Sequence, residues 1–116
     1  MRAFNLKEAM TPLVSFARLY ALRGGLSEVN TFDRLEALRD RGLLGADTFA
    51  ETFAAYEHLL ALRLRHQTAT RAAGEPASNH LRIERLTEID RATLKQVLAQ
   101  VAILQKKVAY DFLGGA

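Results

Sequence analysis

Residues 47–73, DTFAETFAAYEHLLALRLRHQTATRAA, contain neither glycine nor proline. Alanine and leucine dominate this stretch and favour helix, and the period-two alternation of β-branched residues that marks a strand is missing. Asp47 is a suitable N-cap, so we predict a helix from Asp47 to about Ala73. At about 1.5 Å per residue this helix is a rod of roughly 40 Å, which needs other helices packed along it.

A second long helix, from about Thr87 to Leu113, is predicted by the same composition, and two shorter helices precede residue 47. Strands are not expected. Helices of this kind bury their apolar faces by packing side by side. The sequence therefore predicts an all-α fold, a four-helix bundle with two long antiparallel helices and two shorter ones, as a single domain over residues 1–116.

The first short helix is predicted from Leu6 or Thr11 to Arg23, with Pro12 near its start and Gly24 as its C-terminal stop. Its apolar residues recur at helical spacing, which indicates one face turned toward the core. The residues of that face are Met10, Leu13, Phe16, Ala17 and Tyr20.

The second short helix is predicted to begin at Thr31 as its N-cap and to end near Gly42. A longer connection, Gly74 to Leu86, joins the two long helices. Connections of this length are often functional. We expect its second half to be anchored to the core by its apolar residues, which are Leu81, Ile83 and Leu86.

Composition excludes several classes of protein. The 116 residues include no cysteine, so a disulfide scaffold, a thiolate zinc site and a cysteine nucleophile are all excluded. No apolar run approaches the roughly 20 residues that span a bilayer, and the N-terminus lacks a secretion signal, so we expect a cytoplasmic protein without membrane contact. The formal net charge is only +3, from 16 basic and 13 acidic side chains, which argues against nucleic-acid binding.

Polar residues interrupt the apolar stripes of both long helices. A helical wheel places Arg63 and Gln67 on a stripe that also carries Phe49, Phe53, Tyr56, Leu60 and Leu64. It places Gln105 on the stripe of the last helix that carries Leu94, Val97, Leu98, Val101, Val108 and Phe112. The three polar groups are therefore predicted to converge inside the bundle.

Two interpretations of this convergence remain open. In one, Arg63 pairs with Asp33 or Glu36 of the second helix, because an unpaired buried guanidinium is too costly to keep. In the other, Arg63 lines a polar pocket and offers its donors to a phosphate or carboxylate. His66 lies beside the stripe and could join either arrangement, whereas His58 and Arg65 are expected to face solvent.

Catalysis within this chain is not indicated. The sequence has no phosphate-cradling glycine-rich loop, no nucleophile motif and no Asp-x-Asp pair for two metals. His58 and His66 are eight residues apart, which separates them by about 12 Å along a helix, too far for one ion. We expect no catalytic residue, no metal ligand and no cofactor in this domain.

Short segments along the whole chain share their order with a known family. The most specific are Leu-Arg-Leu-Arg-His-Gln at 62–67 and Asn-Thr-x-x-Arg-Leu at 30–35. The others are Asn5-Leu6-Lys7, Pro12-Leu13-Val14, Ala17-Arg18, Ala21-Leu22, Leu94-Lys95, Leu104-Gln105 and Phe112. In these residues the chain resembles the C-terminal helical, substrate-binding domain of bacterial signal-transduction nucleotidyltransferases, which are related to the protein-PII uridylyltransferase.

The resemblance implies an adjacent nucleotidyltransferase domain, often preceded by CBS domains and a cyclic-nucleotide-binding domain. The Gly-Ser and Asp-x-Asp elements that hold Mg²⁺ and a nucleoside triphosphate belong to that catalytic domain and are absent here. The chain would then complete a substrate or acceptor site. In the connection, Leu81-Arg82 stands where the family usually has an Asp-Pro-like element.

On this hypothesis six residues contact a substrate or anion. Arg63 is the anion ligand and His66 and Gln67 are polar contacts. The remaining candidates are Gln105, Arg18 and Arg34.

Two alternatives belong to other classes. The chain could be a structural or dimerising bundle, with Leu19 and Leu22 of the first helix forming a homodimer interface. It could also bind nucleic acid through the region from Arg63 to Arg85, in which case affinity would fall steeply with salt.

Overall fold

Four α-helices account for most of residues 3–113, the part of the chain that the computed structural model describes. The predicted all-α bundle is confirmed, with two long helices, α3 and α4, and two shorter ones, α1 and α2. The helices are α1 (Leu6–Arg23), α2 (Thr31–Asp40), α3 (Ala46–Ala72) and α4 (Glu88–Leu113). Two short strands, β1 (Ala3–Asn5) and β2 (His80–Arg82), and a 3-10 turn (Ile83–Arg85) complete the described residues.

The core forms around α1, which packs against each of the other three helices. Every residue of its predicted inward face is buried, and Leu13 and Phe16 are fully enclosed. Leu19 and Leu22 lie outside the core as predicted, with 36% and 62% of their surfaces exposed. The helix begins at the earlier of its two predicted starts, so Pro12 lies inside it rather than near its first turn.

The predicted caps of α2 and α3 are each wrong by one or two residues. Asn30, not Thr31, is the N-cap of α2, and its side-chain oxygen accepts a hydrogen bond from the Asp33 backbone N–H at 2.9 Å. Gly45 precedes the first residue of α3 and makes no side-chain cap, so Asp47 lies inside the first turn. An acidic residue there still interacts favourably with the helix dipole.

The core-facing line of α3 is rotated relative to the predicted stripe. Thr52, Ala55, Leu59 and Leu62 are buried, whereas Leu64 is 55% exposed. The predicted aromatic residues lie to one side, where the rings of Phe53 and Tyr56 pack at an angle against Phe32 of α2, with ring-centre distances of 4.8 and 4.9 Å. Because of this rotation, Arg63 and Gln67 lie at the edge of the core and are only half-buried.

The prediction that the chain contains no strands is wrong for the connection between α3 and α4. Residues 80–82 pair antiparallel with residues 3–5 just ahead of α1, with Phe4 opposite Leu81. The Leu6 backbone N–H donates to the Asn79 carbonyl at 2.8 Å and extends this pairing. Leu81 is buried and Leu86 packs against the core, so the predicted anchoring of the connection is confirmed for these two residues. Ile83 is half-buried and does not belong to the core cluster.

Gly24 is the C-cap of α1, as predicted, and the turn that follows depends on Gly25. Gly25 has φ +71°, and its N–H and that of Leu26 donate to Leu22 and Ala21 carbonyls. This pair of bonds closes the helix and requires the left-handed conformation that glycine adopts at least cost.

Gly25→Ala is therefore expected to lower the free energy of unfolding by about 1 kcal/mol, although a Cβ at Gly25 would meet no atom within 4 Å. Gly45→Asp is the matched control, because Gly45 has an ordinary φ of −62° and equal free space. It should gain a few tenths of a kcal/mol by capping α3. Urea denaturation measures both, and equal effects of the two changes would contradict this account.

Candidate functional site

A cleft opens where the C-terminal half of α3 meets the connection between α3 and α4. It consists of two lobes of about 310 and 340 Å³ that share the residues His66, Thr70, Glu75 and Arg85. We call it the connection cleft. One lobe adds Pro76, Ala77, Ser78, His80 and Arg82, and the other adds Leu62, Arg65, Ala69, Ala73, Leu81, Leu86, Thr87 and Asp90.

Basic side chains outnumber acidic ones in the connection cleft. Arg65 is neutralised, because its Nη2 lies 3.1 Å from Oδ2 of Asp90. Arg82 and Arg85 form no ion pair with any carboxylate of the residues that the structure describes. Glu75 is the other acidic residue of the cleft. The cleft therefore presents two guanidinium groups whose donors are available to an anion.

His66 is a half-buried polar residue of the connection cleft. Its Nε2 atom is buried and has no hydrogen-bond partner, although the residue lines both lobes. A buried polar atom without a partner carries a desolvation cost that a bound ligand can relieve. Of the predicted site residues, His66 is the one that lines the cleft.

Arg63 positions the connection instead of lining the cleft. Its Nε donates to Oδ1 of Asn79 at 3.0 Å, while the Asn79 carbonyl accepts from the Leu6 N–H. The predicted pairing of Arg63 with Asp33 or Glu36 is wrong. Asp33 accepts a hydrogen bond from Asn30, and Glu36 is exposed on α2.

The predicted convergence of Arg63, Gln67 and Gln105 is also wrong. Gln105 is exposed and lines a separate cavity against Thr11 and Ser15 of α1. Gln67 is half-buried, and its carbonyl accepts from the Thr70 hydroxyl at 3.0 Å. On α3 the helical wheel failed because apolar residues occur on most sides of the helix, so the direction of its buried face was ambiguous. On α4, Gln105 lies outside the buried line of Leu94, Val97, Val101 and Leu104.

The two weaker candidates lie away from the cleft lining. Arg18 is exposed on α1. Arg34 is half-buried, and its Nε donates to the Glu28 carbonyl at 2.9 Å, which fixes the loop ahead of α2.

Sequence reasoning missed Arg82, Arg85 and His80 as cleft residues. The available signal was the density of basic residues between Arg63 and Arg85, which the sequence analysis connects only with nucleic-acid binding. Spacing alone could not place residues of the connection against α3, because the β1–β2 pairing that positions them was not foreseen.

His58 does not face solvent, contrary to the prediction. It lines a groove of about 310 Å³ between α3 and α4, and its Nε2 is buried without a partner. Burial lowers the pKa of His58, an effect that Arg65 reinforces and Asp90 opposes. The imidazole is therefore neutral at pH 7.

The described residues form a helical bundle with an open cationic cleft beside α3. Residues 1–112 match the family described as "Putative nucleotidyltransferase substrate binding domain", and the chain belongs to this family. No curated protein and no solved structure matches the chain. Among residues 3–113 no helix is long and apolar enough to cross a membrane, and no group of three or more His, Asp or Glu side chains could hold a metal ion.

Removing the Arg63–Asn79 hydrogen bond should loosen the connection. Arg63→Met keeps the aliphatic stem and Asn79→Ala removes the acceptor, and we expect each to cost about 1–2 kcal/mol. The double variant should lose little more than either single variant. Amide hydrogen exchange should accelerate in residues 79–82 and 4–6, where the two strands pair.

Arg71→Met is the control, because Arg71 is exposed on the same helix. It should change stability by less than about 0.5 kcal/mol. Fully additive losses for Arg63→Met and Asn79→Ala would contradict the pairing.

Proposed function

We propose that this chain is the non-catalytic module of a bacterial, cytoplasmic signal-transduction nucleotidyltransferase, in which it completes the substrate or acceptor site beside a catalytic domain. Membership of the substrate-binding family supports this proposal. The observation that carries it is the connection cleft, whose lining includes two arginines without ion-pair partners among the described residues and His66, whose Nε2 is buried without a partner.

The chemistry of the connection cleft suits an anion. Arg82 and Arg85 can each offer a planar fork of N–H donors, which matches the geometry of phosphate and carboxylate oxygens. The His66 side chain would contact the same ligand from the α3 side. Arg63 and Gln67 would contribute indirectly, without lining the cleft. Arg63 fixes Asn79 of the connection, and Gln67 is the half-buried residue next to His66 in the sequence.

The residues of this chain suit binding, so we assign the catalytic steps to the adjacent domain. Mg²⁺ and the nucleoside triphosphate would be handled by the catalytic domain, which would supply the carboxylates for the metal. CBS domains and a cyclic-nucleotide-binding domain would regulate the whole protein. This chain would contribute donors to an anionic group on the substrate or acceptor and would exclude water from one side of it.

A second candidate is a homodimeric bundle, favoured by apolar side chains left in solvent. Leu22 is 62% exposed on α1, and Ile103, Tyr110 and Leu113 are more than half exposed on α4. Light scattering tests this. If the natural protein is a dimer and the Leu22→Glu variant is a monomer, this candidate is supported. If the natural protein is a monomer, this candidate is contradicted.

The anion site is tested by thermal denaturation with inorganic tripolyphosphate. At about a hundred times its dissociation constant a ligand adds roughly 2.7 kcal/mol, which should raise the midpoint of a domain this size by several degrees. The double variant Arg82→Gln, Arg85→Gln should keep its midpoint without ligand and lose most of this rise.

The control is Arg41→Gln, which removes an exposed arginine at the end of α2. It should keep the rise. An equal loss in the control would reveal nonspecific charge attraction, and no rise in the natural protein would contradict the proposal. Retardation of RNA that weakens steeply with salt would instead favour the nucleic-acid alternative.

A further inference from the structure

We propose that a second copy of this chain docks on the outer face of α4, where the α4 helices of the two copies pair antiparallel as a coiled coil. The inference goes beyond the anion site and does not depend on it. It also differs from a dimer formed through Leu22 of α1, because the interface lies on α4 alone. It is carried by a seven-residue repeat of exposed side chains on that helix.

The exposed side chains of α4 include a regular seven-residue repeat. Residues 89, 96, 103 and 110 are seven apart, and each is followed three residues later by another exposed position. Together they form a stripe that we call the outer seam, whose residues are Ile89, Ala92, Gln96, Ala99, Ile103, Lys106, Tyr110 and Leu113. Alternating steps of three and four residues, sustained over four heptads, are typical of a helix that pairs in a coiled coil.

The outer seam points away from the bundle. The buried line of α4 lies on the opposite side of the helix and includes Leu94, Val97, Val101 and Leu104. Seven large apolar side chains of residues 3–113 are more than half exposed, and four of them belong to the seam, namely Ile89, Ile103, Tyr110 and Leu113. Single exposed apolar residues are ordinary, but a row along about 36 Å of one helix indicates a contact surface.

Two copies of the outer seam fit each other when they run in opposite directions. With residue 101 at the two-fold axis, the pair has four distinct layers of facing side chains. Three of these layers are apolar, and they join Ile89 with Leu113, Ala92 with Tyr110, and Ala99 with Ile103. Alanine thus faces a large side chain in two layers, which lets the layers interdigitate. In a parallel pair each residue would face itself, so the alanine layers would leave gaps.

Charge also favours the antiparallel arrangement. The fourth layer places Lys106 beside Gln96 of the second copy, whose amide oxygen can accept a hydrogen bond from the ammonium group. A parallel pair would instead bring two Lys106 ammonium groups together. The lysines that flank the seam, Lys95 and Lys107, lie opposite uncharged residues in the antiparallel register. One polar layer in an otherwise apolar seam fixes the register of a coiled coil.

The pairing places the second copy beside the connection cleft. Thr87 and Asp90 line the cleft at the start of α4, and Ile89 lies between them in the sequence. Because Ile89 packs against Leu113 of the second copy, the end of that copy's α4 lies next to the cleft. The dimer therefore carries two connection clefts at opposite ends of the paired helices.

Sedimentation velocity of the whole natural chain over a range of concentrations tests the docking. We expect the average mass to move from that of one chain toward that of two as the concentration rises. Ile103→Glu puts a carboxylate opposite Ala99 of the second copy, where nothing neutralises it, and should raise the dissociation constant about ten-fold or more.

Leu22→Glu is the matched control for Ile103→Glu. The two side chains are similarly exposed, at 62% and 58%, but Leu22 lies on α1. The control should leave the dissociation constant within about two-fold of its natural value. Both variants should keep the circular dichroism spectrum of the natural protein, because both positions are on the surface.

Cross-linking of single-cysteine variants tests the direction of the paired helices. The natural chain has no cysteine, so each variant carries one thiol. In the antiparallel pair Ala102→Cys brings two thiols side by side near the two-fold axis, whereas Ala92→Cys separates them by about 27 Å along the helices. A short bis-maleimide should therefore give covalent dimers of Ala102→Cys and few of Ala92→Cys.

Several results would overturn the inference. A natural chain that stays monomeric at every concentration would assign the outer seam to another partner, such as an adjacent domain. A dimer that survives Ile103→Glu would place the interface elsewhere, and on α1 if Leu22→Glu dissociates it. Preferential cross-linking of Ala92→Cys would show a parallel pair. None of these results bears on anion binding, so the proposed function stands or falls separately.

Discussion

The return of the chain from α3 to α4 is the constraint on which the site depends. Residues 74–87 must cross one end of the bundle with their backbone groups satisfied, since a connection against the core cannot leave them unpaired. The pairing of β2 with β1 and the hydrogen bond from the Leu6 N–H to the Asn79 carbonyl satisfy backbone groups of this segment. The side-chain hydrogen bond from Arg63 to Asn79 and the burial of Leu81 hold it against the bundle. Together they place Arg82 and Arg85 opposite α3 and leave a cleft between.

Much of the fold could be predicted from the sequence, because helix propensity, glycine stops and one clear apolar face are local signals. The inward face of α1 is the best example, since its apolar residues recur at helical spacing and contrast with exposed Leu19 and Leu22. The side of α3 that faces the core could not be predicted in this way. Apolar residues occur on most of its sides, and the contacts of Phe53 and Tyr56 with Phe32 of α2 decide its rotation. Such contacts between distant segments cannot be read from one helix alone.

The sequence indicated the region of the candidate site but not most of the residues that line it. The 62–67 segment does lie beside the cleft, and His66 lines it, but Arg63 supports the connection from the side. Arg82, Arg85 and the enclosed His58 were missed because their positions depend on strands of three residues and on the antiparallel register of α3 and α4. Three-residue strands are too short to show a period-two pattern. Membership of the substrate-binding family and the chemistry of the cleft are therefore separate supports for a binding role.

The central claim is that the connection cleft binds anions, and amide chemical shifts measured during titration with inorganic tripolyphosphate test it most directly. The account predicts shifts concentrated in residues 65–70 and 78–86, which saturate together with one dissociation constant. It also predicts that residues 31–40 of α2, on another part of the bundle, remain unchanged. Shifts spread over all exposed arginines without saturation, or the absence of shifts in the connection, would contradict it.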